Sequence, residues 1–186
     1  MISNNSKHAA PPLQISQWFN TNGPLTLEEL RGKVVVLEAF QMLCPGCVSH
    51  GLPQAQNIAA AFSPDNVCVI GLHTVFEHHT AMTPVSLRAF IHEYRLTFPI
   101  GVDEVGTGAI PKTMSAYGLR GTPSLIIIDK RGYVRANHFG QVPDLQIGAE
   151  IATLLSQAND EEASHESSST KLDGCDDEGC SIPEKK

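Results

Sequence analysis

Residues 34–40 read VVVLEAF. Three β-branched residues open the run, and a single acid interrupts it. A strand in a one-sided sheet alternates apolar and polar residues. A strand buried on both faces reads as a continuous apolar run, as this one does. A second run of the same kind, VCVIGLH at 67–73, follows a stretch rich in Ala and Gln. Two such strands with a helical segment between them specify an α/β layer fold with a parallel, right-handed crossover.

The remaining segments extend the pattern. Thr83-Pro84 starts a helix, with threonine as N-cap and proline at the first position. Its expected apolar face is Val85, Leu87, Phe90, Ile91 and Tyr94. A short strand is expected over 98–102 and a short helix over 111–119. Residues 124–128 and 133–139 read as strands joined by Asp129-Lys130-Arg131-Gly132, too short a link for anything but an antiparallel hairpin. A last helix spans 144–155, with Leu145, Ile147, Ile151, Leu154 and Leu155 on or near one face. Residues 13–19 have a mixed pattern that fits a short helix or an edge segment. The stretch after Cys47 reads as a helix interrupted by Gly51 and Pro53. The expected order is β-α-β-α-β-(α)-β-β-α.

The chain has 186 residues and a net charge of −7. From Gln157 onward nine acidic residues face three basic ones, so six of those charges lie in that stretch. The body is close to neutral, and no basic surplus exists to neutralise phosphates, so nucleic acid is not an expected partner. Three parts follow: a loose arm over 1–12, a folded domain over 13–157, and a disordered acidic tail over 158–186. The first residues, MISNNSKHAAPP, show no apolar export segment, and no run is long enough to span a membrane. A cytoplasmic monomer is expected. Most cytoplasmic thiols stay reduced, so a close cysteine pair there points to catalysis or metal binding rather than to a structural bridge.

Such a pair exists. Cys44-Pro45-Gly46-Cys47 stands directly after the first buried strand and directly before a helix. Unpaired amides at a helix N-terminus stabilise a thiolate, and Pro45 suits a first turn that has no use for its missing donor. One helical turn brings the two sulfurs within reach of a disulfide. Cys44 is then the exposed nucleophile and Cys47 the shielded, resolving thiol.

These segments resemble the thioredoxin superfamily, and most of all its TlpA/ResA-type thiol-disulfide oxidoreductases. The resemblance rests on LRGKVVVLEAFQMLCPGC (30–47), VIGLHT (69–74), the 83–100 helix and strand, YGLRGTPSLIIIDKRGYV (117–134) and HFG (138–140). It covers roughly residues 12–156, and the order of motifs is far more specific than C-x-x-C alone. It implies a thioredoxin-like fold, a central mixed sheet flanked by helices. It implies a buried carboxylate six residues before the first cysteine, which is Glu38. Burial raises the pKa of such an acid and suits it to accept the Cys47 proton. It implies a cis peptide at Thr122-Pro123, facing the cysteines and holding an extended substrate backbone. The implied partners are a disulfide-containing protein or small thiol substrate and an electron donor. No metal or organic cofactor is required. The sequence departs from the family pattern at three points. Leu43 replaces tryptophan before the first cysteine. The intervening pair is Pro-Gly where thioredoxins have Gly-Pro. Pro53 falls six residues after the second cysteine where five is usual.

Two rival functions fit the same fold. A peroxiredoxin-like peroxidase is one, although Gln41 stands where those enzymes commonly carry threonine. A non-enzymatic metal- or partner-binding module is the other, with Cys44 and Cys47 holding a soft ion such as Cu(I) and Met42 nearby. The other candidates read as ordinary residues. Cys68 is expected as a small buried residue, His50 as a surface histidine, and Trp18-Phe19 as packing. His73, His78 and His79 lack the spacing of a metal site. In the tail, GCDDEGC places Cys175 and Cys180 as C-x4-C. With His165 the pair makes a weak zinc motif. On a linker of about 20 residues, which spans on the order of 25 Å, it makes a redox relay to Cys44 and Cys47.

Overall fold

The structure, a computed structural model, describes residues 8–157. Six strands form one mixed sheet: β1 (Ile15–Phe19), β2 (Val34–Phe40), β3 (Val67–His73), β4 (Ile100–Asp103), β5 (Ser124–Ile128) and β6 (Val134–Phe139). Their spatial order is β1-β4-β3-β2-β5-β6. The β2, β3 and β4 strands run parallel, as crossover helices require. The closing β5–β6 hairpin and the edge strand β1 are antiparallel to their neighbours. The helices are α1 (Leu52–Ala61), α2 (Pro84–Glu93), α3 (Lys112–Ala116) and α4 (Asp144–Ser156).

Every residue of β2 is buried, as its apolar run requires. Its side chains alternate between two cores. Val34, Val36 and Phe40 join one core with Leu52 and Ile58 of α1, Leu87 and Ile91 of α2, and Ile147 and Ile151 of α4. Val35, Leu37 and Ala39 join the other with Ile70, Leu72, Ile126 and Tyr117. Both faces of the central strand are therefore covered, and the acid at Glu38 falls between Val36 and Phe40 on the helix-rich side.

The ambiguous 13–19 segment is the edge strand β1, with Trp18 and Phe19 packed on opposite cores. Residues 8–12, expected as part of a loose arm, are anchored. Ala9 bridges Tyr133, Ala10 N donates to Gly132 O at 2.8 Å, and Tyr117 Oη donates to Pro11 O at 2.7 Å. This strap carries the chain from one sheet edge to the other. Thr83 caps α2 by accepting the Ser86 amide, as expected. Val85, Tyr94 and Leu145 differ from expectation, since all three are exposed. Val85 and Leu145 sit in the first turns of their helices, where the chain has only begun to turn against the core, and Tyr94 is the C-cap of α2, its ring stacked on Phe90.

The interrupted helix also differs from its expected form. Cys47–Gly51 is a π-helical turn, with Leu52 N donating to Cys47 O, and α1 follows without a break. Pro53 lies in the first turn of α1, directly after the π-turn. A π-turn holds one more residue than an α-turn. That residue matches the spacing noted above, a proline six places after the second cysteine.

Candidate active site

The site forms where β2 ends and its backbone enters the helix. Cys44 leads the helical run, and Val48 N donates to Cys44 O at 3.1 Å. The Cys47 amide donates to Cys44 Sγ at 3.2 Å. The Cys44 thiol donates to the carbonyl of Thr122 at 3.5 Å. Cys44 is half-buried and Cys47 is fully buried, and both are free thiols in this structure. The division expected from sequence holds, with one accessible sulfur and one shielded.

Burial pushes the Cys47 thiol up to about 12, and the Cys44 side chain adds to that push. The Gln41 backbone and the Thr122 side chain pull the other way. Thr122 therefore stands beside the pair, its carbonyl accepting from Cys44. The Thr122-Pro123 peptide is cis, as the resemblance implied. Beyond it, Gly140 N donates to Pro123 O at 2.9 Å, which ties this loop to the end of β6.

Glu38 is 1 % exposed, and its Oε1 has no hydrogen-bond partner among the described residues. Burial raises its carboxyl well above the usual carboxylate range, and charge at Cys44 adds to the effect. Glu38 lies opposite Gly71 on β3 and Leu125 on β5, beneath the turn that carries Cys47. A carboxylate buried in this way binds a proton more tightly than a surface acid does, so in its ionised form it is the stronger base.

Around these residues the sequence reading missed a polar frame. Gln41 is buried, accepts the Phe76 amide at 3.2 Å, and donates to Glu77 at 3.4 Å. Gln54 of α1 donates to Val142 O at 2.8 Å and Asp144 at 2.7 Å, fastening α1 to the start of α4. Nothing in a single Gln announces a tether, because its partners lie far along the chain. His50 is half-buried, with a ring nitrogen 3.4 Å from Val142 O. His73 is buried against Phe40, its ring nitrogens without a hydrogen-bond partner among the described residues, whereas His78 and His79 are exposed, so the three do not converge. No metal-ligating cluster occurs among the described residues. Cys68 is partly buried at the edge of the second core. Cys175, Cys180 and His165 lie outside the described residues.

A mixed sheet that presents a reduced C-x-x-C pair beside a cis-proline loop matches a known class. Residues 7–137 match the AhpC/TSA family, and the chain belongs to it. The protein DipZ of Mycobacterium bovis is 30% identical over 135 residues, which cover 71% of this chain and 18% of DipZ. The thiol-disulfide oxidoreductase ResA of Halalkalibacterium halodurans is 27% identical, over 66% of this chain and 63% of ResA. The chain thus spans less than two thirds of either curated relative. Among solved structures, a thiol-disulfide isomerase from Corynebacterium glutamicum is 51% identical with a TM-score of 0.76, over 80% of this chain and 98% of that one. A thioredoxin-like superfamily protein is 67% identical with a TM-score of 0.80, over 81% and 97%. The fold is thioredoxin-like, and thiol-disulfide oxidoreductases are among its homologues.

Proposed function

We propose that this chain is a thiol-disulfide oxidoreductase that reduces disulfides, with Cys44 as nucleophile, Cys47 as resolving thiol and Glu38 as proton acceptor. The observation that carries the reading is the asymmetry of the pair. Cys44 is reachable and receives an amide hydrogen bond, while Cys47 is enclosed and carries a thiol pushed up to about 12. A thiol that reluctant needs a base close by, and Glu38 is the buried acid beneath its turn.

The cycle balances as two thiol exchanges. Cys44 thiolate attacks one sulfur of the substrate disulfide, forming a mixed disulfide and releasing the other sulfur as a thiolate, which takes up a proton. Cys47 gives its proton to Glu38 and attacks Cys44 Sγ. The Cys44–Cys47 disulfide forms and the second substrate sulfur departs. Two electrons have passed from the pair to the substrate. A dithiol donor returns them by the reverse exchange. Thr122 and Pro123 lie beside Cys44, where they meet the substrate backbone. We place the activity in a reducing compartment such as the cytoplasm, with a disulfide-bearing protein or small thiol compound as substrate. Cys175 and Cys180 remain candidates for an internal dithiol relay in this scheme.

The direction is tested by the reduction potential of the Cys44–Cys47 couple in glutathione buffers. A value below the cytosolic glutathione poise supports reduction, and a value near those of the strong oxidants reverses it. A peroxide-consumption assay with dithiol as reductant separates the peroxidase alternative.

A further inference from the structure

Two glycines border the site, and neither is there for backbone freedom. Gly46 has φ −65° and Gly51 has φ −58°, both ordinary right-handed helical values. Glycine inside a helix is destabilising relative to alanine. The reason for glycine at these positions is therefore space. A Cβ built at Gly46 stands 3.3 Å from Pro123 Cδ. A Cβ built at Gly51 stands 3.0 Å from Pro123 Cβ and overlaps Oε1 of Glu38.

The π-turn explains why both positions face one proline. In an α-helix residues three and four apart share a face, and five apart they diverge. Widening the turn to an i→i+5 hydrogen bond brings residues five apart together. The extra residue of the Cys47–Gly51 turn thus lays Gly51 against the Glu38 carboxyl and Pro123 at once. That carboxyl is buried, and its Oε1 has no protein partner among the described residues. The slot opposite Gly51 is what accommodates it.

We propose that Gly51 is a positioning residue for the thiol exchange: its missing side chain, delivered by the π-turn, leaves the slot in which the Glu38 carboxyl sits against the turn that carries Cys47. The inference rests on the reading of Glu38 as proton acceptor. It adds that this function depends on a residue four places beyond Cys47 that touches neither sulfur in the hydrogen-bond network.

The test follows the two release steps of dithiobis(nitrobenzoate), which frees one coloured thiolate when Cys44 attacks and a second when Cys47 resolves. All chains carry serine at positions 68, 175 and 180, so both steps belong to the active pair. Gly51→Ala is expected to slow the second release by about tenfold and to shift its pH profile, with the first release changed less than about twofold. In a Glu38→Ala background the second release is already slow, and adding Gly51→Ala changes it less than about twofold. A folded Gly51→Ala chain with an unaltered second release overturns the proposal. An equal loss in both backgrounds does so too, because it makes the glycine independent of the acid. If Gly51→Ala alone does not fold, the double variant decides: it folds if the Glu38 overlap was the cause, and its failure to fold refutes the slot. If Glu38→Ala by itself leaves the second release and its pH profile intact, the proton-acceptor reading falls and this proposal with it. If only Glu38→Ala is slow, this proposal falls alone.

Discussion

The backbone amide of Cys47 points at Sγ of Cys44 across 3.2 Å, so the residue whose own thiol is enclosed also supports the accessible one. The same helical turn therefore separates the two sulfurs by role. The expected outcome is an ordered alkylation. Iodoacetamide at neutral pH modifies Cys44 first, and Cys47 reacts at least about tenfold more slowly because it is enclosed and its thiol is pushed up to about 12. Peptide mapping of a time course reads this directly. Equal rates at the two residues contradict it.

Thr122 offers a second, finer test. Its side chain eases ionisation of Cys47, whereas burial and Cys44 oppose it. Thr122→Val keeps the shape and removes the hydroxyl. Losing that easing influence, taken as about 1 kcal/mol, is expected to slow resolution of a mixed disulfide about fivefold. Stopped-flow measurement of the resolving step checks this, and an unchanged rate rules out the contact as a kinetic element.

Glu38 and His73 lie on the same sheet face and bias stability in opposite directions with pH. Glu38 has a folded-state pKa raised above 4.5, so the native chain binds more protons than the unfolded one between 4.5 and that raised value. Its favourable contribution is full below 4.5 and is lost as pH rises. Glu38→Leu should therefore gain on the parent steadily above pH 4.5, with a constant difference below it. Urea denaturation across pH, in a Cys44→Ser background, measures the trend; a Glu38→Leu stability that stays level or falls relative to the parent between pH 4.5 and neutrality argues against it.

His73 has the reverse sign. Burial lowers its ring from 6.5 to about 4, so the fold holds it neutral while the unfolded chain takes up a proton. The stability it carries is complete above 6.5 and is lost as pH falls toward 4, by about 3 kcal/mol in all. His73→Phe, next to the ring of Phe40, should remove that acid loss. If both chains lose stability equally between pH 6.5 and 4, His73 is not the cause.

Much of the fold was legible because burial on two faces leaves an unbroken apolar run. VVVLEAF and VCVIGLH announced the parallel centre, and the four-residue link at 129–132 announced the hairpin. The edge strand over 15–19 was ambiguous because it carries apolar residues to both faces, Ile15 and Trp18 to one core and Phe19 to the other, so alternation was weak. The anchoring of residues 8–12 depends on Tyr133 and Tyr117, more than 100 positions away, and no local pattern encodes it. At the site, Cys44, Cys47, Glu38 and Pro123 were visible as residue types in a familiar order. The π-turn was visible only as a proline one place late. Gly51 looked like a helix breaker, whereas its meaning lies in the carboxyl packed opposite.

The most direct measurement is the site of covalent capture. Cys47→Ser, incubated with a disulfide-bonded protein substrate and mapped by mass spectrometry, is expected to accumulate a mixed disulfide through Cys44, while Cys44→Ser accumulates none. Capture through position 47 in the Cys44→Ser chain, with none through Cys44 in the Cys47→Ser chain, contradicts the account.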